Sequence, residues 1–547
     1  MRAPPRNAES ERTPFGERSA RPSLANTLWM LAICSIAYLW VFPYQPTINN
    51  PNENVRFYMT AAIVEEGTYA IDTQRARWGW VNDAGVRDGK HYSVKAPGAS
   101  LLGVPGYWAY HAWCKARNEP LDRTTALWVC RVTASVLPML LFLFFLHRFL
   151  GRLTAHPVLR DATFISIALG SLLYAYALLL VSHTQSAIAA CAALMCLMRE
   201  PPLTRRRAML AGFFAASVTL FEYPGMMASV PLTLYAVWRG GFARMPFVAA
   251  GCLPPVLAMM HFQWRAWGNP LTPGHRFLEN QAYRALSEEG FFGATGFHLD
   301  AAFGLLFDPG YGLFALTPLL LFAPFGAWIA LRKQDLRPPA VAALFACGLS
   351  YLLICTMNNW RGGWTVGPRY LAVTVPLLGF LALIALDRLA ARARSLSLGL
   401  ALGSTAAGLV LSGLVSAYYP HVPEALARPV PDLVLPLMKA DLAPFNAGHW
   451  FGMTGTAAML PVFMALALPC LIALISGWRG LTMPQRGIFV CVILCSAFAL
   501  AWPAWVAATD TKAARRSRAF VMRTFSPQAH ASPDAARKKQ SVRSRAR

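Results

Sequence analysis

The stretch 52–72, NENVRFYMTAAIVEEGTYAID, holds the first residues able to do chemistry. Glu53 and Arg56 stand three positions apart, so on a helix they share a face. Val55, Met59, Ala62 and Ile63 recur at helical spacing and form an apolar stripe. The pattern predicts a short amphipathic helix in the membrane interface, its polar face toward water. Such a helix would hold a carboxylate and a guanidinium where a lipid-linked phosphate arrives. Interfacial helices more often carry charges that are simply solvated, and pattern alone favours that plainer use.

Further along, Lys95 precedes the Pro97-Gly98 turn in GKHYSVKAPGASLLGVPGYW. It suits a point charge on a phosphate as well as a lysine snorkelling at a helix end. NNWRGGWTVGPRYL sets Arg361 and Arg369 among glycines and aromatics. Arginine reads phosphate bidentately and glycine lets backbone approach a ligand. An aromatic belt would explain the tryptophans but not RGG and GPR together. His183, in LLLVSHTQS, and Glu222, in LFEYPG, each stand at the end of an apolar run. Polar groups at membrane depth are costly and tend to be functional. At the water interface that argument weakens, and an architectural role is the plainer reading for both.

The absences narrow the chemistry. The sequence has no GxxxxGK[ST], no GxGxxG after a strand, no HExxH, and no DxD in the polar loops. Its eleven cysteines are scattered, with no CxxC or zinc spacing. No motif requires a cofactor, and use of a divalent metal stays open.

The elements that must position these residues are membrane helices. The chain is 56% hydrophobic and only 14% charged, against about 25% charged in a soluble domain. Its apolar runs are continuous rather than alternating, so helices are expected and not a barrel. Stretches of about 17–25 apolar residues begin near thirteen places, several of them short. The expectation is an all-α polytopic membrane protein with 11–13 transmembrane helices. A basic arm (1–27) precedes the membrane domain (28–508), and a basic, disordered tail (509–547) follows it. The first apolar run is read as a retained span rather than a signal peptide.

The net charge of +24 lies in the arm, the short loops and the tail. That is the distribution of the positive-inside rule, not of a nucleic-acid-binding face. The rule places the arm and the short Arg-rich loops in the cytoplasm. Four longer polar segments (45–123, 265–311, 358–370 and 420–453) then lie outside. Thirteen spans would also put the basic tail outside, against the rule. Internal repeats of the transporter kind are not evident.

The order of motifs carries a resemblance. An acidic motif after the first span is followed by YSVKAPGASLLGVPGY, SHTQSAIAA, FEYPG, WGNPLTPGHRF, DPGYGLFALTPLLL and GGWTVGPRYLAVTVPLL. This resembles the GT-C class of polytopic glycosyltransferases, over roughly 28–508. More narrowly it is similar to bacterial relatives of the dolichyl-phosphate-mannose protein mannosyltransferase group, glycosyltransferase family 39-like. The resemblance implies juxtamembrane helices in the first outer loop, a polyprenyl-phosphate-linked sugar donor, and transfer on the outer face of the bacterial inner membrane. It also implies a catalytic acid in that loop, often in an Asp-Glu pair. The matching positions are Asn52 and Glu53, so the first acid is replaced by an amide.

On this reading Glu53 is the base, and Arg56 orients it or binds phosphate. Lys95, Arg361 and Arg369 are phosphate clamps, and Glu222 is the alternative carboxylate. His275 and Arg276, in TPGHRF, line the acceptor or lipid entrance. The partners are the lipid-linked donor, membrane lipids and an acceptor whose class the sequence does not reveal. Two other readings remain: a transporter or flippase of lipid-linked saccharides, and an inactive scaffold of envelope assembly. The first expects ionisable residues along the middles of several spans, and few are present: Arg131 is the main one, near an end.

Overall fold

The computed structural model describes residues 22–45, 50–198, 203–290, 293–506 and 511–525. The expected architecture is present: the described residues are all-α but for one short hairpin and isolated bridges. Helices cover the apolar runs of the sequence. Among the described residues, seven stretches are long and apolar enough to cross a membrane. The 45-residue stretch Tyr223–Trp267 is itself two helices meeting at Gly241, whose positive φ only glycine adopts readily. Three shorter apolar helices, Leu24–Trp40, His183–Leu197 and Pro318–Leu331, accompany them. The chain is therefore an integral, multi-pass membrane protein. Most of the arm lies outside the described residues, and the first helix begins at Leu24.

Helix burial sorts the bundle into layers. The span Arg369–Ala390 is 83% buried within the protein, whereas Met483–Val506 is 11% buried and faces outward. Close approach is set by small residues. A Cβ at Gly326 would collide with the Leu381 carbonyl, and one at Gly212 with that of Val248. Such small-residue contacts let membrane helices pack backbone to backbone.

The helix Pro51–Glu66 forms where the sequence places it. Asn50 caps it by accepting from the Glu53 N–H, Pro51 opens it, and Gly67 closes it in the left-handed region. Its environment corrects the interfacial expectation. Every residue from Asn52 to Ala62 is buried, the polar face included. The helix Gly98–Arg117 covers it, with Gly103 against Thr60 and the Thr60 hydroxyl donating to the Ser100 carbonyl at 3.0 Å. Phe57 stacks on Trp78 at 4.8 Å between ring centroids.

The hairpin pairs Ala84–Arg87 with Lys90–Ser93. Its turn is Asp88-Gly89, both at positive φ, the Asp-Gly turn that hairpins favour. The tail is also corrected. Lys512–Thr524 is a helix with Ala514, Val521 and Thr524 buried, not a disordered segment. The remainder of the tail lies outside the described residues.

Candidate active site

Glu53 is buried, and its carboxylate is fully bonded. Arg131 donates to it twice, from Nε to Oε1 and from Nη2 to Oε2, both at 2.6 Å. The Leu180 N–H donates to Oε1 at 2.7 Å, and the Asn50 amide to Oε2 at 3.3 Å. A carboxylate offers about four acceptor positions, and all four are filled. The residue is 3% exposed. Burial pushes its carboxyl up, but the charge and hydrogen bonds of Arg131 with the Leu180 N–H hold it below the usual range. His421, buried beside this pair, is pushed down to about 4 by burial despite the pull of Glu53.

Arg56 does not touch Glu53, although the two share a helix. It turns back to Asn52, donating to the carbonyl at 2.7 Å and to the side-chain oxygen, and reaches Ser182 Oγ at 2.8 Å. Its Nε is buried with no partner. Burial pushes its guanidinium down to about 10, against the pull of Glu222 and Asp83 and with the push of Arg369.

Around Arg56 the chain assembles a second polar group from distant segments. His183 Nδ1 stands 2.7 Å from Glu222 Oε1. The His183 ring is held edge-on by Tyr176 at 4.9 Å and Tyr370 at 5.9 Å. Arg369 donates to the Tyr370 hydroxyl at 2.9 Å, and its Nε is buried without a partner. Lys95 pairs with Asp83 at 3.2 Å. His275, beside Tyr223, is pushed down to about 4 by burial and by Lys95.

Of the sequence-derived candidates, the structure brings together Asn52, Glu53, Arg56, Lys95, His183, Glu222, His275 and Arg369. Arg361 sits at the margin, paired with Asp308 at 3.1 Å and stacked over Tyr311. Arg276 is exposed on the turn Gly274–Phe277. Three participants were not recognised as such. Asp83 and His421 carried no local signal. Arg131 did, as a charge inside an apolar run. Among the described residues no three His, Cys, Asp or Glu side chains gather as a metal ligand set.

A small polar recess adjoins the pair. Glu53, Arg123, Arg131 and His421 line it.

No family model and no curated protein sequence matches the chain significantly. Some solved structures are similar to it at low identity. One is ArnT from Cupriavidus metallidurans bound to undecaprenyl phosphate, at a TM-score of 0.49 and 16% identity, covering 88% of this chain and 76% of that one. Another is the archaeal oligosaccharyltransferase AglB from Archaeoglobus fulgidus, in complex with an inhibitory peptide and a dolichol-phosphate. Its TM-score is 0.38 at 12% identity, over 93% of this chain and 60% of that one.

Proposed function

We propose that this protein is a membrane glycosyltransferase of the GT-C class. It moves a sugar from a polyprenyl-phosphate-linked donor to an acceptor at the outer face of the bacterial inner membrane. The observation that carries the reading is the cation cluster. Arg56 and Arg369 lie within electrostatic reach of each other, each with a buried Nε that has no partner. Lys95 is close by, already matched by Asp83. Glu222 is the remaining carboxylate in the cluster. An excess of buried cation with unfilled donors favours an anion, and a guanidinium matches phosphate geometry.

The chemistry follows from the charges. The acceptor hydroxyl loses its proton as its oxygen bonds to the anomeric carbon. The bond from that carbon to the phosphate oxygen breaks, and the phosphate leaves with the electron pair. Arg56, Arg369 and Lys95 stabilise the charge that develops on it. The proton acceptor we assign is Glu222, held by His183. Glu53 matches the sequence pattern of a base, but its acceptor positions are taken and its carboxyl is weakly basic. Its role here is to fix Arg131 and the 178–182 loop that carries Ser182 to Arg56.

The test is donor hydrolysis or transfer by purified protein with a panel of polyprenyl-phosphate sugars. Wild type turns over one donor, and Glu222→Gln loses about a hundredfold or more. Binding without turnover by wild type would reject catalysis in favour of a transporter or scaffold.

A further inference from the structure

The C-terminal helix Lys512–Thr524 holds five basic residues and no acidic one. Topology does not account for them. The short basic loops gather at the far end of the bundle: Thr154 bonds to Asp387, Arg394 packs on Gly480, and His147 meets Thr27 near the start of the first helix. The C-terminal helix is at the opposite end, beside the candidate site. Phe520 meets Trp364 edge-on at 5.8 Å, and Phe525 meets Tyr419 at 5.8 Å. Trp364 belongs to the loop that carries Arg361 and Arg369, and Tyr419 stands two residues before His421.

Bilayer anchoring does not account for them either. An amphipathic helix anchors by burying its apolar face in lipid. Here Ala514, Val521 and Phe525 are buried against the protein itself. Lys512, Arg516 and Arg523 are left exposed. We infer that this helix is the docking surface for an acidic saccharide, a carboxylate- or phosphate-bearing acceptor that it holds at the mouth of the site. A cluster of one sign beside a site raises the local concentration of an oppositely charged substrate. The inference rests on the transferase reading for the role of the bound saccharide. Binding is read without turnover, so each can fail alone.

The probe is fluorescent dextran sulfate, with neutral dextran as control, on full-length protein in phosphatidylcholine nanodiscs. The variant K512Q/R516Q/R523Q removes three exposed charges, and K512R/R516K/R523K keeps them. Wild type and the charge-keeping variant bind dextran sulfate, in a salt-dependent way, and not neutral dextran. The glutamine variant binds about tenfold or more weakly, with unchanged melting temperature and donor hydrolysis. Equal binding by wild type and the glutamine variant overturns the inference, as does no binding by wild type. So does a loss seen only with phosphatidylglycerol vesicles and not with dextran sulfate, which would make the helix a lipid anchor.

Discussion

Two buried ionic groups lie side by side in this protein and differ in what they leave unfilled. Glu53 and Arg131 form a bidentate pair in which the carboxylate's four acceptor positions are occupied. Guanidinium nitrogens without a partner occur on both sides: Arg131 Nη1 in the pair, and the Nε of Arg56 and of Arg369 in the neighbouring cluster with His183 and Glu222. The difference lies in the carboxylates: the acceptor positions of Glu53 are taken, whereas the Glu222 carboxylate has one partner among the described residues, His183. Sequence alone ranks Glu53 as the functional carboxylate. On the proposed reading Glu53 is architectural and the reacting role falls to Glu222, whose carboxylate has acceptor positions free. The difference teaches that proximity to a motif is a weaker guide than the number of lone pairs and donors still free.

The sharpest way to break this contrast is to unpair the closed side. Arg131→Met leaves Glu53 charged and uncompensated, and should lower stability by about 3–5 kcal/mol, read as thermal unfolding in detergent. The double variant with Glu53→Gln should recover most of that loss. Failure to recover would mean that the pair does more than hold the fold.

Next in size is activity on the open side. Glu222→Gln should lower turnover about a hundredfold, near 3 kcal/mol, with the melting temperature almost unchanged. Glu53→Gln should show the reverse pattern, with stability affected first. A full loss of turnover in a well-folded Glu53→Gln protein would restore Glu53 as the base.

Smaller still is the effect of one guanidinium nitrogen. Arg369→Lys keeps the charge but loses the buried Nε, and should raise KM for the donor about tenfold, the worth of one charge-assisted hydrogen bond. An unchanged KM would remove Arg369 from the phosphate site.

The gentlest probe is pH. His421 is held neutral in the fold, down to about 4 from the ordinary 6.5. The unfolded chain therefore binds the extra proton first, and stability should fall as pH drops from about 6.5 toward 4. Glu53 acts in the same direction at lower pH. Its carboxyl is depressed, so its contribution is present above the ordinary carboxylate value of 4.5 and is lost as pH falls through the folded value. His421→Asn should flatten the upper part of that slope in melting curves taken from pH 7 to 4. An identical slope would place the proton uptake elsewhere.

Much of this was legible in the chain. Apolar runs gave the helices, because burying or dissolving them in lipid depends on composition over a local window. The 52–72 pattern predicted the interior of the Pro51–Glu66 helix, and the structure bounds it with Asn50, Pro51 and Gly67. The hairpin turn Asp88-Gly89 was not expected in a chain whose composition points to helices.

What the sequence by itself determined is therefore which segments are helical and which residues carry charge in the polar segments between them. Only the tertiary structure decided how those charges pair. Glu53 met Arg131, 78 positions away, while Arg56, its neighbour on the same helix, did not bond to it. Tertiary packing also buried the polar face of that helix and brought the basic tail to the site's own end of the bundle. The physical reason is range. Helix formation is set within a few residues, whereas a buried charge takes whichever partner the whole fold delivers within hydrogen-bonding distance.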